Sequence, residues 1–278
     1  MMRRRSMLAG AGSALVGASV LRAAPSAFGG VAFGGRTFRD SVAVLEAASR
    51  GRMGVAILDT HSGARFGWRA EERFPMCSTF KLLLAGAILR RVDREEDRLD
   101  RRVGVAAADI IANSPFAKTR VGGEASVAEL CEAALTLSDN AAANLLLLAI
   151  GGPAGLTRVI RSFGDPITRF DRNEPTLNEA LPGDPRDTTT PRAMLGLLDR
   201  LTLGRLLSPA SRAQLLAWIV ANRTGDHRLR AGLPPGWRIG EKTGAGSRGS
   251  DNDVAILWPP KRAPLLVTSY LTGNPLSL

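Results

Sequence analysis

Apolar positions along this chain keep one of two periods. Across residues 37–50, Val42 and Leu45 with the alanines between them recur at helical spacing, and residues 53–58 then form a short apolar run with the character of a strand. Asp59, Thr60, His61, Ser62 and Gly63 read as a turn, and residues 65–68 as the returning strand. From about Phe80 to Leu233 helical patterns dominate, at 81–91, 127–137, 141–150, 191–201 and 208–221. Strand patterns return at 238–243, 254–258 and 265–271. Strands at both ends with helices between them predict an α/β fold of the α+β type. A mostly antiparallel sheet is built from N- and C-terminal strands, with an all-helical lobe inserted. The α/β lobe is assigned to 37–76 and 222–278 and the helical lobe to about 77–221. Residues 169–187, with Pro175, Pro182, Gly183 and Pro185, form an irregular piece too long for a simple connection, and such loops are commonly functional.

The N-terminus does not share these patterns. Arg3, Arg4 and Arg5 precede an uncharged Gly/Ala-rich stretch over residues 7–21, which predicts an export signal over residues 1–27 and a catalytic domain over 28–278. Arg4-Arg5-Ser6-Met7-Leu8 resembles a twin-arginine signal, and small residues around 23–27 offer a cleavage site. The expected location is periplasmic or secreted. The apolar run is shorter than the roughly 18 residues that a spanning helix needs, so no stable membrane association is expected after cleavage.

Composition narrows the chemistry. The chain has 278 residues, 45% hydrophobic and 23% charged, as in an ordinary globular protein able to bury a sizeable core. Its net charge of +11 falls to about +7 once the four signal arginines leave. The remaining positive charge is scattered, without basic runs interleaved with aromatics, so no nucleic-acid partner is expected. Lys81, Lys118, Lys242 and Lys261 are the only lysines in an arginine-rich chain; lysine can lose its charge when buried and arginine does not. His61 and His227 stand far apart and the only cysteines are Cys77 and Cys131, so neither a metal site nor a cofactor is expected.

Three short motifs hold candidate chemistry. In Ser78-Thr79-Phe80-Lys81 a spacing of three at the start of a helical run puts hydroxyl and amine on one face, where a desolvated lysine can accept the serine proton. Ser138-Asp139-Asn140, before another helix, adds a second hydroxyl and a side-chain amide. Lys242-Thr243-Gly244 ends a predicted strand, with a cation and hydroxyl for an anion and a glycine that admits a ligand to the backbone. Each alone is an ordinary cap or turn. Together and in this order they are not.

In that set, S-x-x-K, S-D-N and K-T-G, the chain resembles the active-site serine β-lactamases and penicillin-binding proteins over roughly residues 38–271. A fourth element, Glu174-Pro175-Thr176-Leu177-Asn178 in the long loop, resembles the E-x-x-L-N of the class A β-lactamases. The resemblance implies a β-lactamase/transpeptidase-like fold with helices on both sheet faces. It also implies a monomer acting on a small-molecule β-lactam and conferring antibiotic resistance. Ser78 would attack the lactam carbonyl, with Lys81, or Glu174 through a water, taking its proton, and with the N–H groups of Ser78 and Ala245 holding the oxyanion. Ser138 would pass a proton to the departing nitrogen, and Glu174, with Asn178, would hold and activate the water that frees the serine. Asn140 would orient the substrate's side-chain amide. Lys242, Thr243 and Ser138 would take its carboxylate, joined by Arg228, because the other position that can supply an arginine is Asp251 here. The resemblance further implies a cis Glu174–Pro175 bond and an Arg172–Asp187 ion pair closing the loop.

Some positions depart from the family pattern. Asn113 stands where an aromatic wall is common, and the expected disulfide partners of Cys77 and Cys131 are Gly246 and Ala85, so both cysteines are expected free. Three rival readings share the three-motif machinery: a D-alanyl-D-alanine peptidase, a β-lactam receptor that stays acylated, and a degenerate binder of cell-wall peptides. Glu174 with Asn178 argues against the first, the expectation of no membrane segment or partner domain after the signal against the second, and the complete motif set against the third.

Overall fold

Alternation along the central strands sorts their side chains onto two covered faces. The computed structural model describes residues 32–33 and 36–275, so the predicted signal at 1–27 lies outside the described residues. A two-residue pair, β1 (Ala32–Phe33) with β2 (Arg36–Thr37), leads into helix α1 (Phe38–Ser49). Then come β3 (Arg52–Asp59), β4 (Arg65–Trp68) and the short β5 (Phe74–Pro75). Helix α2 (Phe80–Val92) follows a single 3-10 turn at Cys77–Thr79. The middle of the chain holds β6 (Arg102–Gly104), β7 (Glu124–Ser126), α3 (Val127–Thr136), α4 (Asn140–Ala149), α5 (Gly152–Ser162), β8 (Thr188–Thr189), α6 (Pro191–Thr202) and α7 (Pro209–Val220). It closes with β9 (Arg238–Gly246), β10 (Ser250–Trp258) and β11 (Leu265–Thr272).

The main sheet has the order β4-β3-β11-β10-β9, antiparallel throughout, so the N- and C-terminal strands meet where Val267 faces Ile57. This is the mixed, antiparallel α/β architecture expected. Ala56, Leu58, Val254, Ile256 and Leu266 join the large core with α2, α6 and α7, while Val55 packs with Phe38 and Val42 of α1. Successive residues thus serve opposite faces, and helices cover both. Ile239, Ala255, Leu257 and Val267 form a third cluster with Leu229, Leu233 and Trp237.

Side-chain caps fix where the helices begin. Thr37 caps α1, Ser126 with Glu129 makes a capping box on α3, Asp139 caps α4, and Thr190 and Ser208 cap α6 and α7 ahead of prolines. Helix α2 is buried continuously from Phe80 to Leu89, so it runs through the core and holds its first turn rigidly. Helix α5 has no counterpart among the helices named from the sequence. Among the described residues no single helix is long and apolar enough to cross a membrane.

One predicted boundary needs correction. The strand expected to end at Gly244 continues to Gly246, with Gly244 facing Asn252 and Gly246 facing Ser250. The turn lies instead at Ser247, Arg248 and Gly249, where Arg248 and Gly249 take positive φ. Ala245 therefore sits in a paired strand, opposite Asp251.

Candidate active site

The 3-10 turn at Cys77–Thr79 presents Ser78 at the head of α2, with Cys77 held at φ 46°. Such strain in a non-glycine residue survives only where its surroundings over-determine it. Lys81, one turn on, is fully buried, and its Nζ lies 3.1 Å from Ser78 Oγ, 3.0 Å from Glu174 Oε1 and 2.6 Å from Asn140 Oδ1. It also donates to the Ser138 carbonyl at 2.8 Å. Burial drives the ammonium below a lysine's ordinary range, and the Glu174 charge opposes that shift. Ser78 Oγ donates to Glu174 Oε1 at 3.2 Å, so serine, lysine and glutamate form one closed triangle.

Ser138 takes a positive φ just before α4. Its Oγ accepts from Lys242 Nζ at 3.1 Å and lies 3.4 Å from Lys81 Nζ, a hydroxyl between two amines. Asp139 caps α4 and also receives the Phe116 and Ala117 N–H groups, which fixes the segment. Asn140 donates to the Ala112 carbonyl at 2.9 Å while its oxygen accepts from Lys81. Lys242 is pushed down to about 7 by burial and by the neighbouring Lys81 charge. Thr243 Oγ1 lies 2.5 Å from Thr224 Oγ1.

The long loop carries Glu174 into this cluster. Its Glu174–Pro175 peptide is cis. Arg172 Nε meets Asp187 Oδ2 at 2.6 Å, and the buried Asp187 accepts further bonds from the N–H groups of Asp171 and Arg172 while its carbonyl receives Met76 N–H. Inside the loop Asn178 donates to Glu174 Oε2 at 2.5 Å, and its own Oδ1 is buried with no partner among the described residues. The Asn178 carbonyl accepts from Ser247 N–H at 2.9 Å, which ties the loop to the β9–β10 turn.

Strand β9 passes close beside the Ser78 turn because Gly244 has no side chain. A Cβ there would stand 2.9 Å from the Met76 carbonyl and 3.1 Å from Thr79 N. Gly246 plays the same part beside Cys77, whose sulfur would lie 2.6 Å from an added Cβ. Both cysteines are free and buried, and burial pushes the Cys77 thiol up to about 12, which leaves it unreactive.

Arg228 carries an acidic partner. Its Nη2 lies 2.6 Å from Asp251 Oδ1, so the two positions weighed as alternatives in the sequence are brought together as an ion pair. Two positioning residues were not assigned from sequence. Asn144 accepts from Glu174 N–H at 3.1 Å and donates to the Glu174 carbonyl at 2.9 Å, clamping that residue's backbone. Asn113, at positive φ, donates to the Ser138 carbonyl and receives Asn140 N–H, each at 2.9 Å, so it ties its own segment to the start of α4. The signal for Asn144 was a single amide inside an otherwise apolar helical run.

A strained turn that presents a serine, two buried lysines, a bridging hydroxyl and a buried carboxylate have the composition of a serine hydrolase site, here on a mixed α/β architecture. A model of the β-lactamase enzyme family matches residues 37–275. The chain is 49% identical to β-lactamase L2 of Stenotrophomonas maltophilia over 236 residues, covering 84% of this chain and 78% of that protein. It is 47% identical to β-lactamase Toho-1 of Escherichia coli over 228 residues, covering 82% and 78%. A solved structure of an ancestral class A β-lactamase superposes with a TM-score of 0.85 at 60% identity, covering 86% of this chain and 92% of that one. The chain belongs to the class A β-lactamase family.

Proposed function

We propose that this protein hydrolyses the β-lactam ring through an acyl-enzyme on Ser78, and so confers antibiotic resistance. The observation that carries the reading is the joint placement of Ser78, Lys81 and Glu174 within 3.2 Å of one another, with Asn178 on the far carboxylate oxygen. Ser78 Oγ attacks the lactam carbonyl and gives its proton to the Lys81–Glu174 pair. The backbone N–H groups of Ser78 and Ala245 receive the oxyanion, a contribution that typically changes rates by on the order of 100- to 1000-fold per donor. Ser138, in contact with both amines, returns a proton to the departing nitrogen. A water donating to Glu174 and to the unpaired Asn178 Oδ1 then attacks the ester as Glu174 takes its proton, and Ser78 is regenerated. Asn140 keeps one amide proton for the substrate's side-chain carbonyl.

The substrate carboxylate falls to Lys242, Thr243 and Ser138. Arg228 adds less than a free guanidinium would, because Asp251 already offsets its charge. The arginine-rich leader at residues 3–5 supports export by a twin-arginine signal to the periplasm or medium, with a monomer acting there. The mature protein, quenched during hydrolysis of a penicillin and mapped by mass spectrometry, should carry its adduct on the Ser78 peptide alone. An adduct on any other residue, or none at any time point, would remove the assignment.

A pH dependence follows from Lys242. Only the charged amine attracts a carboxylate, and burial with the Lys81 charge lowers its pKa to about 7, so kcat/KM for an anionic substrate should fall as pH rises through that value. Lys242→Arg keeps its charge at all accessible pH. Its profile should lose that alkaline limb whatever its absolute rate, and an unchanged limb would show that another group titrates.

A further inference from the structure

Beneath the long loop lies a cavity of about 590 Å³ that none of the residues assigned to the reaction lines. Six arginines reach it from separate parts of the chain: Arg50 and Arg52 at the α1–β3 junction, Arg73 beside β5, Arg172 and Arg186 from the loop, and Arg248 from the β9–β10 turn. Asp184 is the one acid in its lining. Three of the guanidiniums have carboxylate partners. Arg52 meets Glu72 at 3.1 Å, Arg172 meets Asp187 and Glu179 at 2.6 Å each, and Arg186 meets Asp184 at 2.7 Å.

Among the described residues the other three have none. Arg73 donates only to Thr188 Oγ1 and the Ile167 carbonyl, and Arg248 only to the Glu179 carbonyl. Arg50 makes no side-chain ion pair among the described residues. Three guanidiniums without a carboxylate partner among the described residues, from three parts of the chain around one concavity, focus a positive field there. A guanidinium fork matches phosphate oxygens, and the volume lies within the range of small-molecule sites.

We infer that this cavity is a binding site for a linear oligophosphate, free or at the end of a nucleotide. The ligand bridges Arg50 and Arg73 to Arg248 and to the inner wall of the loop at Leu181–Pro185, and holds the loop against the sheet.

Binding is measured by calorimetry on the full mature protein with inorganic tripolyphosphate and, in parallel, ATP, at fixed ionic strength. Tripolyphosphate should bind one per chain and slow hydrogen exchange in residues 180–188. Arg50→Gln with Arg248→Gln should weaken it at least tenfold, while Arg94→Gln with Arg98→Gln, which removes the same charge from exposed sites outside the cavity, should leave it intact. Comparable binding of ATP through the same arginines would identify a nucleotide as a source of the ligand. Equal affinity in the cavity variant, equal loss in the control variant, or the same exchange protection from sulfate would each overturn the site. Hydrolysis of β-lactams is read separately, so its presence or absence leaves this test unaffected.

Discussion

Glu174→Ala should acylate and then stall. With a chromogenic cephalosporin the variant should release one equivalent of product per enzyme in a burst, followed by a steady rate lower than wild type by on the order of 100- to 10,000-fold, the usual contribution of a positioned general base. That is about 3–5 kcal/mol of transition-state stabilisation. The prediction rests on the two ends of one carboxylate. Oε1 lies against Ser78 Oγ and Lys81 Nζ, and Oε2 is held by Asn178 beside an unpaired amide oxygen. Lys81 Nζ lies 3.1 Å from Ser78 Oγ independently of Glu174, so it should still serve the first step. If the burst itself vanishes while circular dichroism shows an intact fold, Glu174 is the acylation base as well, and the division of labour between Lys81 and Glu174 changes. If steady turnover persists at the wild-type rate, the assignment of Glu174 fails.

Asp187→Ala should cost about 3 kcal/mol of stability, in the range for breaking a buried ion pair by removing one partner. The carboxylate is fully buried, meets Arg172 Nε at 2.6 Å and accepts two backbone N–H groups, which the variant leaves without partners. For a chain of this size each kcal/mol lowers Tm by roughly 2–4 °C, so thermal unfolding should begin about 10 °C lower. The same residue closes the loop that carries Glu174, so deacylation should slow as well. A Tm within a degree of wild type for Asp187→Ala would show that the loop is held closed by other contacts.

Much of this architecture was legible because its elements announce their own ends. Thr37, Ser126, Asp139, Thr190 and Ser208 cap helices within a residue or so of the periodic pattern, and the strands at 53–58, 65–68 and 265–271 fall inside observed ones. The candidate site was legible for a different reason. Its residues lie in short motifs whose internal spacing is set by a helix turn or a strand, so Ser78 with Lys81 and Glu174 with Asn178 are positioned locally.

What escaped the sequence depends on distant partners. The Arg228–Asp251 pair joins a loop to β10, and neither residue signals the other along the chain. Asn144 looked like a lone polar residue in an apolar helix until the loop came to rest on it. Strands β5 and β8 are two residues each, too short to carry a period, and β9 outruns its apolar pattern because glycines continue the pairing without side chains. Helix α5 begins at Gly151-Gly152-Pro153, which reads as a breaker although proline in a first turn is compatible with a helix.

The central claim is that Ser78 is a nucleophile that is restored after each reaction. Its most direct test supplies the purified mature protein with a hundredfold excess of a chromogenic cephalosporin and counts product per enzyme. The arrangement of Glu174 and Asn178 predicts that all of the substrate is opened, over many turnovers, with free Ser78 recovered at the end. Product that stops at one equivalent, with the adduct persisting on Ser78, would contradict it and identify the protein as a β-lactam receptor.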